Sequence, residues 1–463
     1  MDRHIFAARV TAVLIGVATF LVAGSCTRPP EASGPNILLV TLDTTRADYL
    51  GCYGYEGPVQ ITPNLDSLAV AGVRFDLAIS ASAATPVSHA TILTGVYPNR
   101  HGVRVIYAEE GCTLADSVAT LASILGDRGW DTGAMLSSFT VSEFYGFDRG
   151  FRTFDSGIVD APNEALRKAP GGVWGWEVDK NQRRADATTD EAIRWLEQSA
   201  RPFCLWVHYW DPHDNMLQPP EEVLDLFNFH IRDIHERRRR LYAAEVHYVD
   251  SQFGRLIRWL KENGEYERTA IVVVADHGEG LGDHDWWSHR ILYQEQIRVP
   301  LIARIPGWPT GEVVSALVRS ADTMPTLLAA AGVEVPPDLD GRDLTPLVLG
   351  EETESRAAYA DALNLYDLNT ALAKNRPDDS LLHSLTDGAW KLIHRPLVPE
   401  KDELYHLAVD PRETVNLFAE EPDRVAQLLE ALDRIDGYVL DSLGDAIDPE
   451  TLERLRSLGY VGD

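Results

Sequence analysis

The sequence predicts an α/β fold built on a doubly wound, mostly parallel sheet, and two observations carry that prediction. Continuous apolar runs of strand length occur at 36–42, 203–207 and 269–275. Unbroken apolar runs are typical of strands that are buried on both faces of a parallel sheet. Segments with helical spacing of apolar residues lie between these runs, as the crossover connections of parallel strands require.

Three of these intervening segments are predicted to be helices, at 114–127, 187–199 and 227–263, where apolar side chains recur every three or four residues. The longest contains four consecutive arginines at 237–240, which we interpret as a solvated face because Glu236 and Glu245 lie nearby.

Composition indicates the chain's class and argues against polyanionic partners. The 463 residues suffice for one large α/β domain and a smaller one, and a hydrophobic content of 45% indicates a packed core. The net charge of -29 argues against electrostatic capture of nucleic acid or of an anionic membrane surface.

The N-terminus is predicted to be an export signal. An apolar stretch at 10–22 is too short to span a membrane comfortably, and small residues precede Cys26. This resembles a bacterial lipobox, although Ala23 stands where Leu is usual. We therefore expect residues 1–26 to be a signal with lipidation at Cys26, and residues 27–35 to be a tether. The protein would then be periplasmic or on the cell surface, with membrane contact only through this anchor; ordinary cleavage and an uncleaved anchor remain alternatives.

A helix is predicted to start at Thr85, with Thr85 as its N-cap and Pro86 at the first helical position. Gly95 supplies the helix stop. A hydroxyl at a helix N-terminus lies in positive potential, where an alkoxide or a bound oxyanion is stabilised. An ordinary capping threonine is the alternative interpretation.

Acidic and imidazole side chains follow each of the three predicted buried strands. A doubly wound sheet would gather them at the carboxyl edge, where open α/β sheets place their sites. Hard oxygen ligands with imidazoles suit Zn, Mn, Mg or Ca. The residues in question are Asp43, Asp211, His213, Asp276 and His277.

The stretch that begins TPVSHATILTG at Thr85 resembles the nucleophile segment of sulfatases and sulfatase-like hydrolases of the alkaline phosphatase superfamily, C/S-x-P-S-R-x-x-x-L-T-G. Ser88 and residues 93–95 match this pattern. Thr85 occupies the place of the modified Cys or Ser, and His89 replaces the Arg. The nucleotide pyrophosphatase/phosphodiesterase branch carries Thr and His at these places, so both departures point to that branch.

The resemblance implies a metal held by Asp43, Asp276, His277 and the Thr85 hydroxyl, with Thr44 in the place of a second Asp ligand. It also implies that the Lys and His which classical sulfatases bring to the sulfate are missing, because residues 136–139 read LSSF. His89, His213 and His289 are the further catalytic candidates.

The number of metal ions stays open. Asp211, His213 and His289 form a complete ligand set, so we expect them to hold a second ion. The alternative is a one-metal enzyme in which His213 and His289 bind substrate or protonate the leaving group.

The resemblance runs from about residue 36 to residue 460 and predicts a catalytic domain at 36–350. A C-terminal subdomain at 351–463 is expected to contain a small antiparallel sheet and a helix near 424–435. The predicted function is an exported, metal-dependent hydrolase of small or polymeric phosphate mono- or diesters, or a phosphoryl transferase, with Thr85 as nucleophile. The alternatives are a sulfatase and a catalytically inactive surface-binding lipoprotein.

Overall fold

The structure is a computed structural model that describes residues 33–106, 111–157, 182–213, 217–367 and 371–436. The predicted signal, Cys26 and most of the tether lie outside the described residues. Within these ranges, no helix is both long and apolar enough to cross a bilayer.

The main sheet has nine strands and confirms the doubly wound, mostly parallel architecture. Its strand order is β4-β3-β5-β1-β6-β7-β2-β8, with β9 also paired to β2. Only β7 runs against its two neighbours, β6 and β2. The strands are β1 Asn36–Leu42, β2 Val73–Ile79, β3 Asp131–Met135, β4 Thr153–Asp155, β5 Phe203–Tyr209, β6 Thr269–Ala275, β7 Arg298–Arg304, β8 Glu312–Val314 and β9 Val318–Arg319.

The centre of this sheet consists of β1 flanked by β5 and β6, the three strands predicted from the apolar runs. Every residue of these strands is buried. In the parallel register Leu42 pairs with both Tyr209 and Ala275. The three strands therefore end at the same level, and the residues that follow them meet at one edge of the sheet.

Helices pack against the strands of this sheet, and the boundaries of two of them differ from the predictions. The helices are α1 Pro63–Ala71, α2 Thr85–Thr94, α3 Pro98–His101, α4 Leu121–Asp127, α5 Ala185–Gln198, α6 Glu221–Leu224, α7 Ile234–Glu262, α8 Gln294–Ile297, α9 Thr323–Ala330, α10 Thr345–Val348, α11 Ala371–Asn375 and α12 Pro422–Asp436.

The predicted helix at 114–127 is wrong in its first half. The helix begins at Leu121 because the Thr120 hydroxyl accepts the Ser123 N–H and the Ser123 hydroxyl accepts the Thr120 N–H, which forms a capping box. The helix predicted at 227–263 likewise begins later, at Ile234, because the Asp233 carboxylate accepts two N–H groups of its first turn.

The predicted C-terminal subdomain is present as a four-stranded antiparallel sheet, β10 Ala358–Ala362, β11 Leu382–Thr386, β12 Trp390–His394 and β13 Glu403–His406. Helix α12 packs on it through Val425, Leu428 and Leu432. The Asp361 N–H of β10 bonds to the Ala81 carbonyl. This hydrogen bond connects the small sheet to the segment that immediately precedes α2.

Candidate active site

Two carboxylates from the ends of β1 and β6 meet at the carboxyl edge of the sheet. Asp43 and Asp276 are both fully buried. The Oδ1 atom of Asp276 accepts the N–H groups of Thr44 (3.0 Å) and His277 (2.7 Å). The Oδ2 atom of Asp276 and the Oδ1 atom of Asp43 are buried without a protein partner. Each carboxylate therefore has one oxygen fixed in the fold and one oxygen available to a ligand.

His277 has a defined tautomer. Its Nδ1–H donates to the Gly278 carbonyl at 2.8 Å, which leaves the lone pair on Nε2. That Nε2 lies 3.4 Å from Asp276 Oδ2 and 3.2 Å from Thr85 Oγ1. Burial lowers the pKa of His277 well below its ordinary value, and nearby His289 adds to the effect. His277 is therefore a neutral imidazole that presents its lone pair to the site.

These residues fit a divalent cation. Ligand atoms of Asp43, Asp276 and His277 all lie within 4.8 Å of one another. The Thr44 hydroxyl is also buried without a partner, and Thr44 adopts a strained left-handed φ of 45°. Burial is the main cause that raises the pKa of Asp43 and Asp276, and for Asp43 the charge of Asp276 adds to it. A bound dication would return both carboxylates to the ionised form. Oxygen ligands with one imidazole suit Mn, Zn, Mg or Ca.

Thr85 is the first residue of α2, not its N-cap as predicted. Ala84 occupies the cap with extended backbone, and no side chain caps the helix. The Thr85 hydroxyl is therefore not used in capping and instead faces His277 at 3.2 Å. It is 99% buried and lies at the positive end of the helix dipole. This is a suitable position for a nucleophile.

Two further imidazoles surround this centre. The Nδ1–H of His89 donates to the Thr85 carbonyl at 2.8 Å and lies 3.5 Å from Asp276 Oδ2. Burial lowers the pKa of His89 to about 4, so this ring is neutral. The Nε2–H of His208 donates to Asp43 Oδ2 at 3.1 Å and fixes that carboxylate. His208 was not among the predicted site residues; it lies inside β5, which continues to Tyr209 instead of ending at residue 207.

His213 and His289 lie together on one side of the centre. Their ring centroids are 5.0 Å apart, and the His289 ring is 4.7 Å from that of His277. His213 stacks on Trp210 at 3.7 Å, and this packing desolvates the ring and lowers the pKa of His213 well below its ordinary value. His289 Nδ1 is 3.3 Å from Glu279 Oε2, so a carboxylate orients this imidazole.

Asp211 does not join His213 and His289 in one cluster. Its Oδ1 accepts the Ala185 N–H at 3.1 Å at the start of α5, and its Oδ2 is buried without a partner. Among the described residues, the close groups of potential metal ligands are Asp43, Asp276 and His277 and, away from this centre, His284, Glu295 and Glu413. The expected second-metal set is therefore not assembled by the structure.

Two charged neighbours of the site were not predicted from the sequence. Glu279 follows Asp276 by three residues, and this closeness to the metal candidates could have indicated it. Arg290 carried no signal: it adopts a left-handed φ of 80° and ion-pairs with Asp367 at 3.3 Å. Its positive charge contributes to the lowered pKa of His213 and His277, after burial and the other imidazoles. A cation therefore lies close to the histidine side of the site.

Two family models and a set of known proteins match this chain. The family model described as Sulfatase matches residues 35–333, and the model described as N-sulphoglucosamine sulphohydrolase, C-terminal, matches residues 282–435. An N-acetylglucosamine-6-O-sulfatase of Bacteroides thetaiotaomicron is 26% identical, with 90% of each chain covered.

Solved structures share the fold. A protein in complex with its substrate D-glucosamine-2-N,6-O-disulfate superposes with a TM-score of 0.70 at 24% identity, covering 88% of this chain and 99% of the other. The phosphonate monoester hydrolase of Agrobacterium radiobacter gives a TM-score of 0.68 at 23% identity, covering 88% and 96%. The Sulfatase model matches well over half of this chain. The chain therefore belongs to the sulfatase family of the alkaline phosphatase superfamily and is a metal-dependent ester hydrolase of that family.

Proposed function

We propose that this protein hydrolyses phosphate mono- or diesters with Thr85 as the covalent nucleophile and one divalent metal ion. The observation that carries the proposal is the Thr85 hydroxyl, buried at a helix N-terminus 3.2 Å from the neutral Nε2 of His277. Asp43 and Asp276 lie beside that nitrogen, each with an oxygen that no protein group uses.

In the first step the Thr85 oxygen attacks phosphorus in line. The Oγ–P bond forms, the bond from phosphorus to the leaving alcohol breaks, and the Thr85 proton passes to water, from which the group that protonates the alcohol is later reprotonated. The positive end of α2 favours the alkoxide. A divalent cation held by Asp43, Asp276 and His277 would supply charge stabilisation for the non-bridging oxygens. Water then attacks the phosphorylated Thr85: the water oxygen joins phosphorus, one water proton restores the Thr85 hydroxyl, and the product is phosphate from a monoester or a phosphate monoester from a diester.

The leaving alcohol must gain a proton in the first step, and His289 is the group that we assign to this transfer. Glu279 holds its Nδ1 at 3.3 Å, which leaves Nε2 for the substrate. A carboxylate partner stabilises the protonated imidazole, as general acid–base catalysis requires. We assign His213 to substrate binding, because it lies beside His289 and has a buried Nδ1 with no partner.

Two features of the chain favour a phosphate ester over a sulfate ester. Threonine cannot be oxidised to the aldehyde that classical sulfatases use. Neutral His89 replaces the arginine of the sulfatase pattern, and residues 136–139 lack the Lys and His of that pattern. The names of the relatives include both sulfatases and phosphonate ester hydrolases. Membership of the family therefore does not decide between a phosphate ester and a sulfate ester as substrate.

The test is a parallel measurement of kcat/KM on 4-nitrophenyl phosphate, bis(4-nitrophenyl) phosphate and 4-nitrophenyl sulfate with the metal-loaded protein. We expect one of the phosphate esters to be the best substrate. A kcat/KM highest for the sulfate would make the chain a sulfatase, and no turnover of any ester would favour the surface-binding alternative. We also retain as a proposal that the protein is exported and lipid-anchored at Cys26.

A further inference from the structure

An open groove of about 750 Å³ lies outside the catalytic centre, and we call it the Trp287 groove. Its apolar lining consists of Leu224, Phe229, Ile234, Leu241 and Trp287. Ile234 is 74% exposed, an unusual state for a large aliphatic side chain at the start of a long helix. The groove is therefore an exposed apolar surface of a size that suits a small organic group.

One residue of the groove lies close in the chain to the histidine side of the active site. Trp287 precedes His289 by two residues, and two residues span at most about 7 Å. The loop that carries both is held by three hydrogen bonds, from Gly282 N to the Trp286 carbonyl, from Gly280 N to the Ser288 carbonyl and from Trp286 Nε1 to the His289 carbonyl. The loop that carries the proposed acid His289 therefore also supplies Trp287 to the groove.

The rim of the groove is cationic, although the whole chain is strongly acidic. The predicted solvated face at 237–240 is only partly correct. The guanidinium groups of Arg238 and Arg239 lie 5.3 and 5.2 Å from the Trp287 ring, and Arg239 also donates to the Leu281 carbonyl. Arg240 pairs with Glu236.

Arg237 differs from its three neighbours. It lines the groove, is exposed, and forms no ion pair with any residue that the structure describes. Its guanidinium is therefore available to an anion that enters the groove.

We propose that the Trp287 groove binds the alcohol portion of the ester, and that this portion is an aryl-sized apolar group with an anionic substituent. The inference rests on the proposed function, because Thr85 and His289 must handle the ester bond itself. The five apolar side chains favour an aryl-sized group, because contact with them removes its apolar surface from water. The Arg237 guanidinium selects the negative charge.

The experiment compares phenyl phosphate with 4-carboxyphenyl phosphate in the parent, Arg237→Gln and Arg258→Gln. Arg258 is a matched control, because it is exposed on the same helix 21 residues away. We expect Arg237→Gln to lower the ratio of kcat/KM for the carboxylated ester to that for phenyl phosphate about fivefold, the value of one exposed ion pair. Arg258→Gln should leave the ratio at the parental value. An unchanged ratio in Arg237→Gln, or an equal fall in both variants, would overturn the proposal.

The experiments distinguish an error in the proposed role of the Trp287 groove from an error in the proposed phosphate-ester hydrolysis. The phenyl and 4-carboxyphenyl esters are also measured as sulfates. If the protein cleaves only the sulfates, it is not a phosphate-ester hydrolase, but the ratio of kcat/KM for the two sulfates still tests binding in the groove. A titration with 8-anilinonaphthalene-1-sulfonate, an aromatic anion, needs no turnover. We expect Ile234→Ser and Arg237→Gln each to weaken its binding at least threefold, and parental binding in both variants would overturn the groove.

Discussion

The substitution Asp276→Asn separates two roles of the carboxylate pair, because it should stabilise the metal-free fold while it removes metal binding. The ligand atoms of Asp43 and Asp276 lie within 4.8 Å in a fully buried setting. Two unit charges at that distance repel each other by about 3 kcal/mol at an effective dielectric constant of about 20. Asparagine removes this repulsion, and its Oδ1 can still accept the N–H groups of Thr44 and His277.

The stabilisation of the metal-free fold by Asp276→Asn must depend on pH. The folded-state pKa of Asp276 is raised by burial above its unfolded value, so protonation stabilises the folded parent. That stabilisation is complete below the unfolded pKa, which is about 4, and is lost as the pH rises through the folded pKa. The variant should therefore match the parent near the unfolded pKa and become more stable than it by up to about 3 kcal/mol at higher pH.

The assay is urea unfolding in EDTA and in MnCl2 across this pH range. Metal at about 100 times its Kd should stabilise the parent by about 2.7 kcal/mol and the variant not at all. Asp250→Asn is the control, because Asp250 is also buried but bonds to Asn64 and Leu65 away from the site, so its metal response should persist. A metal-free variant less stable than the parent at high pH, or one that retains the metal response, would refute the reasoning.

Three further predictions concern single residues. Thr85→Ala should lower kcat by about 10² or more while Thr85→Ser keeps measurable turnover, and parental rates in Thr85→Ala would show that the hydroxyl is not a nucleophile. His289→Ala should keep one metal per chain by elemental analysis and lose about 10² more in kcat on alkyl than on nitrophenyl phosphates, since poor leaving groups need the acid; a loss of bound metal would instead make His289 a ligand. Cys26→Ala should move the protein from the membrane fraction of expressing bacteria to the soluble fraction, whereas unchanged fractionation would exclude a lipid anchor at Cys26.

Much of the central site could be predicted because buried parallel strands have a strong local signature. The runs at β1 and β6 coincide with the observed strands, so the positions of Asp43, Asp276 and His277 followed from sheet topology alone. The place of Thr85 near them followed from the resemblance of its segment. Its exact helical position did not, because cap and first-turn positions differ by one residue and the sequence signals for them overlap.

The peripheral groups could not be predicted, because their roles depend on contacts between distant segments. Asp211 follows β5 as the metal interpretation requires, but its carboxylate accepts an N–H group of α5. Arg290 lies on the histidine side and has a left-handed backbone conformation, which the residue types of its loop do not predict. Arg238 and Arg239 were predicted to be solvated, but the fold places both guanidinium groups over the Trp287 ring.

Covalent catalysis by Thr85 can be tested through the stereochemical course of the reaction at phosphorus. A phosphate monoester that is chiral at phosphorus through isotopic oxygen and sulfur substitution is hydrolysed in isotopically labelled water, and the configuration of the released thiophosphate is determined. Attack by Thr85 followed by attack of water comprises two in-line displacements, each of which inverts phosphorus. A Thr85 nucleophile therefore gives net retention of configuration, whereas net inversion would show that water attacks the substrate directly and that Thr85 is not the nucleophile.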